Sequence, residues 1–245
     1  MSRRQTLKAE QVVARLVELA NPNHAQNLQW FFKTGPGEYG EGDKFLGIKV
    51  PDVRSVAKEF KDLDLNQIKV LSQSEFHEAR FAALAILTAR FKRSKSDADR
   101  QELFDFYLSL LELGVVNNWD LIDSTAPYLG RQLLGSNPIA FLKTLANSGD
   151  LWKQRAAIMF TYGLVAEFEL EPTFEIVEYL MDHEHDLIHK ASGWMLREAG
   201  KKDLTKLRAF LEVHSAAMPR TMLRYAIEKM SKEERGYWLS QKSLK

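Results

Sequence analysis

Apolar residues recur at helical spacing along almost the whole chain, while period-two alternation is scarce. The pattern predicts helices at AEQVVARLVELA, VRSVAKEF, FHEARFAALAILTARF, RQELFDFYLSLLEL and WKQRAAIMFTYGLVAEF. It predicts more at FEIVEYLM, LIHKASGWMLREAG, LTKLRAFLEVH and RTMLRYAIEKM. Short polar or Gly/Pro breaks part them, among them GSNP at Gly135 to Pro138 and NSGD at Asn147 to Asp150. The expected fold is all-α.

A loose repeat runs through these helices. A basic residue followed by small ones opens an apolar helix at Arg80, Arg155, Lys190 and Arg220, at intervals of 75, 35 and 30 residues. Trp119 falls roughly midway across the first interval, which then reads as two repeats. A period in the thirties built from helix pairs implies a superhelical stack of HEAT/armadillo-like α-hairpins, burying a continuous core behind a concave groove. The small residues Ala82, Ala83, Ala156, Ala157, Ala191 and Ser192 would let neighbouring helices approach closely. No linker is long enough to divide the chain, so residues 1–245 are expected to form one repeat domain.

One segment departs from the helical pattern. KTGPGEYGEGDKFLGIKVPDVR, Lys33 to Arg54, holds five of the thirteen glycines and two prolines. GPGEYG matches G-x-G-x-x-G formally, but no strand precedes it and no helix follows at once. Gly42-Asp43-Lys44-Phe45 also lacks the G-K-[ST] ending of a Walker loop. Residues 33–50 read as a Gly-rich interhelical loop, with Pro51 in the first turn of the next helix.

Composition narrows the function classes. With 245 residues, 45% hydrophobic and 27% charged, the chain is an ordinary globular one with room for a sizeable core. It has no apolar run of about 18 residues, so no membrane span is expected. The start, MSRRQTLKAEQVV, lacks the apolar stretch of a signal peptide and reads as a frayed helix start. The absence of cysteine excludes disulfides and thiolate metal sites and fits a cytoplasmic setting. Net charge is +1, from 34 basic and 33 acidic residues, so bulk charge does not announce a nucleic-acid binder. Any basic surface must come from local arrangement.

HEHDLIH places His183, His185 and His189 together, with Glu184 or Asp186 as further zinc ligands. The run opens a helix, however, where acidic and polar residues are common, and no metal is expected. KRSKSDADR, Lys92 to Arg100, mixes signs and reads as a solvated turn. Among the five tryptophans, Trp152 and Trp238 read as packing, and Trp30, in LQWFFK, as core or cleft. Trp119 shares a helix face with Asp123 at i,i+4, and Trp194 with Arg197 at i,i+3, while Leu121 and Ile122 point toward a core. Taken singly, each pair reads as half-buried packing. With Arg155 on the intervening repeat they outline a concave site, because equivalent helices of successive repeats line one groove.

Four stretches carry a resemblance to the AlkD-type DNA alkylation repair glycosylases: YGEGDKFLGIKVPDVR (39–54), NNWDLIDSTAPYLG (117–130), LWKQRAAIMF (151–160) and KASGWMLREAGK (190–201). They run in the family's order, from about Ala25 to Met230. The family fold, a superhelix of HEAT-like hairpins, agrees with the repeat above. The resemblance implies hydrolysis of the N-glycosidic bond of cationic N3- and N7-alkylated purines in duplex DNA. It further implies a monofunctional, monomeric enzyme without metal or cofactor, cytoplasmic and on the nucleoid when bound to DNA. Carried through the matching motifs, the catalytic aspartate falls on Asp123, the sugar-contacting tryptophans on Trp119 and Trp194, and the site arginine on Arg155. Arg197 matches a DNA-backbone arginine, and Phe31 an aromatic near the N-terminal helix. Asn118 departs from the pattern, which has an aromatic before the key tryptophan. Lys153, Lys190, Lys201, Lys202, Arg220 and Arg224 recur at repeat-equivalent positions suited to phosphates. The same fold could serve a non-catalytic scaffold or a silent DNA-binding relative. The intact set of Trp119, Asp123, Arg155 and Trp194 favours the enzyme.

Overall fold

A computed structural model of the chain describes residues 7–241; residues 1–6 of the supposed frayed start lie outside them, as do residues 242–245. Among the described residues the chain is all-α, without a strand, as the periodicity predicts; one isolated parallel bridge joins Lys44 to Phe76. No described helix is long and apolar enough to cross a membrane. The chain divides into two compact units, Met1–Thr125 and Ala126–Lys245. Within each, successive helices pack side by side as HEAT-like hairpins.

The first unit comprises α1 (Ala9–Val17), α2 (Pro22–Phe31), α3 (Val50–Glu59), α4 (Leu65–Ser72), α5 (His77–Arg93), α6 (Asp97–Glu112) and α7 (Trp119–Asp123). Helix α1 is amphipathic and buries Ala9, Val12 and Leu16, one stripe at helical spacing. Helix α5 packs against α1, α3, α4, α6 and α7 and so has no polar face over most of its length. Its Ala79, Ala82 and Ala83 are fully buried, where small side chains permit close helix packing. Residues 33–49 form the non-helical loop foreseen from their glycines, and Pro51 lies in the first turn of α3. A buried carboxylate holds this loop from inside. Glu78, on α5, accepts the N–H groups of Leu46 at 2.9 Å, Gly47 at 2.8 Å and Ile48 at 3.2 Å. Only glycine fits at position 47: its φ is +83°, and a Cβ would sit 2.1 Å from the Asn21 carbonyl oxygen.

The second unit comprises α8 (Ala126–Leu129), a 3-10 turn (Gly130–Leu133), α9 (Ile139–Ala146), α10 (Leu151–Val165), α11 (Glu171–Tyr179), α12 (Asp186–Lys202), α13 (Leu204–His214), α14 (Arg220–Ala226) and α15 (Lys232–Ser240). Asp150, the last residue of NSGD, caps α10 by accepting the N–H groups of Trp152 and Lys153, both at 2.9 Å. Helix α12 presses against α14 at Gly193, where a Cβ would lie 2.3 Å from the Met222 carbonyl oxygen. The recurring basic residue turns out to bind main chain at three of its four positions. Arg80 donates to the Ser74 carbonyl, Arg155 to that of Leu187 and Arg220 to that of Leu239. Lys190 instead pairs with Asp186 at 2.7 Å.

Candidate functional site

In the first unit two of the candidate residues, Trp119 and Asp123, sit on α7, a single helical turn. A helix this short does not hold itself together, so tertiary contacts must fix it. Asn118 is fully buried and caps it, accepting the Trp119 N–H at 2.9 Å and donating its own amide to Asp43 at 3.2 Å. Asn118 therefore has a structural role: it caps α7 and ties it to Asp43. Leu121 and Ile122 are fully buried, while Trp119 and Asp123 are half-buried. The Trp119 ring stacks on Phe32 with centroids 5.2 Å apart and planes at 12°. Phe31, 53% exposed at the end of α2, meets Trp119 edge-on at 6.0 Å. Trp30, on the same turn, is 76% exposed and so is not part of the core. Asp123 acts electrostatically on Tyr107 of α6. Burial pushes that phenol up, a hydrogen bond with Thr125 pulls the other way, and the Asp123 charge raises it further. Tyr107 is thus a neutral group in the core, accepting from the Thr125 hydroxyl at 3.0 Å.

A buried charge cluster supports α7. His77, 3% exposed at the start of α5, has Nδ1 3.1 Å from Asp43 and Nε2 2.8 Å from Asp120. Arg80 donates to the same Asp43 at 2.5 Å. Burial disfavours the His77 cation, but the Asp120 charge and hydrogen bonds to both carboxylates outweigh it, raising His77 to about 9. Burial likewise opposes the Asp43 carboxylate, yet His77 and Arg80 hold it below the usual carboxylate range.

In the second unit, α12 aligns Trp194, Arg197, Glu198 and Lys201. Glu198 is the hub: it accepts the Trp194 indole N–H at 3.2 Å, Arg197 Nε at 3.3 Å and Lys201 at 2.7 Å. Arg197 also pairs with Glu228. Lys202 donates to the Ala166 carbonyl at 3.1 Å and lies 4.3 Å over the Phe168 ring. Lys153 is half-buried near the start of α10, and Arg155 is only 4% exposed, its guanidinium turned to the Leu187 carbonyl. Arg220 and Arg224 are exposed on α14. The histidines act as local caps: His183 Nδ1 accepts the His185 N–H at 2.9 Å and His185 Nδ1 that of Leu187 at 3.1 Å. Among the described residues no group of His, Asp and Glu is placed to hold a metal ion.

Periodicity and motif spacing point to none of His77, Asp43, Asp120 and Glu198, and mark Arg80 only as a repeat position. His77 and Asp43 lie 34 residues apart, one at a helix start and one in a loop, so no periodicity links them. Glu198 alone had a legible signal, lying four residues after Trp194.

Residues 12–230 match the model of the family described as DNA alkylation repair enzyme. Among solved structures, the chain is similar to the "Predicted DNA alkylation repair enzyme from Enterococcus faecalis". Identity is 18% and the TM-score 0.65, over 87% of this chain and 97% of that one. At that identity the likeness concerns the fold. No curated protein matches.

Proposed function

The chain belongs to the family of DNA alkylation repair enzymes, and on that footing we propose that it is a glycosylase releasing cationic N3- and N7-alkylated purines from duplex DNA. The observation that carries this reading is α7, which offers an indole and a carboxylate four residues apart on a turn fixed by buried contacts. Glycoside cleavage usually takes two carboxylates, one protonating the leaving group and one serving the sugar cation or water. An alkylated purine already carries the positive charge and leaves as a neutral base, so it needs no general acid. One carboxylate suffices. Asp123 stabilises the developing oxocarbenium ion and orients the attacking water. At ~4 Å and an effective dielectric of ~20, a unit charge pair contributes about 4 kcal/mol, on the order of a thousandfold in rate. The Trp119 face adds roughly 0.5–2 kcal/mol against the same cation.

From the second unit, Trp194 is assigned a further sugar contact and Arg155 the role of site arginine, while Arg197, Lys153, Lys190, Lys201, Lys202 and Arg220 track phosphates. Phe31 joins Trp119 in touching DNA. One observation favours a second reading, a DNA-binding relative without catalysis: Arg155 is buried and bound to a main-chain carbonyl. The two readings part on a duplex carrying N7-methylguanine, incubated with wild type and with Asp123→Asn. The proposal expects free base from wild type alone. Equal release by both proteins sinks the mechanism, and no release by wild type, with salt-sensitive binding retained, establishes the second reading.

A further inference from the structure

One buried ionisable group takes no part in the chemistry above. Both nitrogens of His77 face carboxylates, Asp43 at 3.1 Å and Asp120 at 2.8 Å. A neutral imidazole has one N–H and could donate to only one of them; the imidazolium donates to both. The charges agree. His77 and Arg80 oppose Asp43 and Asp120, so the cluster is neutral only when His77 is protonated. Glu78, next on α5, is turned away to the amides of residues 46–48.

His77 reaches α7 by two routes. The first is polar: Asp120 adjoins Trp119 in sequence, and Asp43, the other partner of His77, takes the amide of the capping Asn118. The second is a ladder of rings. His77 stacks on Phe45 at 4.6 Å, Phe45 on Phe32 at 4.9 Å, and Phe32 on Trp119 at 5.2 Å. A five-residue helix takes its orientation from its anchors, and these converge on one imidazole.

We infer that His77 is the positioning residue of the site: it sets the angle at which α7 presents Trp119 and Asp123, and through Asp43 ties that setting to the Gly-rich loop. Its effect on base release rests on the glycosylase reading; its effect on Trp119 does not. His77 itself touches no substrate. A conformational role of this kind leaves DNA affinity in place and lowers the chemical step, because 1 Å of misplacement at a reacting centre costs on the order of a hundredfold in rate.

The test uses the full chain labelled with 5-fluorotryptophan, the Trp119 resonance being assigned with Trp119→Phe. In His77→Gln the Trp119 signal should shift and broaden while those of Trp152, Trp194 and Trp238 stay. In the wild type the same signal should shift as pH rises through about 9. Single-turnover release of N7-methylguanine should fall at least tenfold in His77→Gln, with duplex affinity within about threefold of wild type. A cleft of ≈ 360 Å³ borders His77, Phe32, Phe45 and Asp120, so added imidazole should enter His77→Gly and restore release, following its protonated form. An unmoved Trp119 signal in His77→Gln overturns the inference whatever the activity, as does a folded His77→Gly that imidazole leaves unrescued while the wild type is active. Should His77→Gly fail to fold, the His77→Gln signal decides. A Trp119 signal that moves in a chain releasing no base defeats the glycosylase reading and leaves the positioning role standing.

Discussion

Deprotonating His77 should weaken the first unit, and the direction and size follow from its surroundings. Its proton is held more tightly in the fold than in the open chain, the ordinary value of 6.5 being raised to about 9. A raised value stabilises the fold fully below pH ~6.5, and that stability is lost as pH rises through about 9. Asp43 shifts the other way, below the usual carboxylate range, so its contribution is complete at neutral pH and does not change in this window. At 1.36 kcal/mol per pK unit, the His77 proton is worth about 3 kcal/mol. Urea unfolding followed by the Trp119 fluorine signal reads this out for the first unit. With an m-value of ~1–3 kcal/mol/M, the midpoint should drop by roughly 1–3 M between pH 6.5 and pH 9.5. Lysines and tyrosines also titrate near the upper limit, so the informative quantity is the gap between wild type and His77→Gln. That gap should be wide at pH 6.5 and close by pH 9.5. A gap that stays constant across the range would refute the claim that an ion cluster holds α7.

Other perturbations follow from single contacts. Asn118→Ala removes the cap of α7 and a donor to Asp43, and should lower stability by about 1–2 kcal/mol, read as an earlier thermal transition; an unchanged transition would contradict the structural role given to Asn118. Glu228→Gln removes one of the two carboxylates paired with Arg197, leaving Glu198 on its Nε, so duplex affinity at low salt should rise and fall more steeply with added salt. Unaltered binding would remove Arg197 from the DNA contacts. Gly193→Ala forces a methyl group against the Met222 carbonyl and should destabilise by about 1–3 kcal/mol in the melting curve of the second unit. A neutral result would mean that α12 and α14 part easily.

The sequence made the helices legible because burial imposes a period: α1 shows one apolar stripe, and α5, enclosed by five neighbours, is apolar over most of its length. It also showed the loop, read as 33–50 and found at 33–49, where glycines and prolines mark backbone that no helix accepts. Trp119 and Asp123 could be paired because four residues is one helical turn. The cluster beneath them could not be seen, since it joins Asp43, His77 and Asp120 across three elements far apart in sequence. The repeat arginines show a different failure. Their spacing marked them as equivalent, but spacing does not say what a guanidinium touches, and Arg155 and Arg220 turn to main-chain carbonyls. Trp30, in an aromatic run that reads as core or cleft, is exposed on α2, a helix with no buried residue.

The central claim is that Asp123 alone supplies the carboxylate for releasing a cationic base. It is tested most directly by single-turnover release from a duplex with one N7-methylguanine, with excess protein, quantifying the free base over time. Wild type should outpace the uncatalysed loss, and Asp123→Asn should lower the rate on the order of a thousandfold while binding the duplex as before, as the ~4 kcal/mol charge pair requires. Release by Asp123→Asn at the wild-type rate would contradict the account.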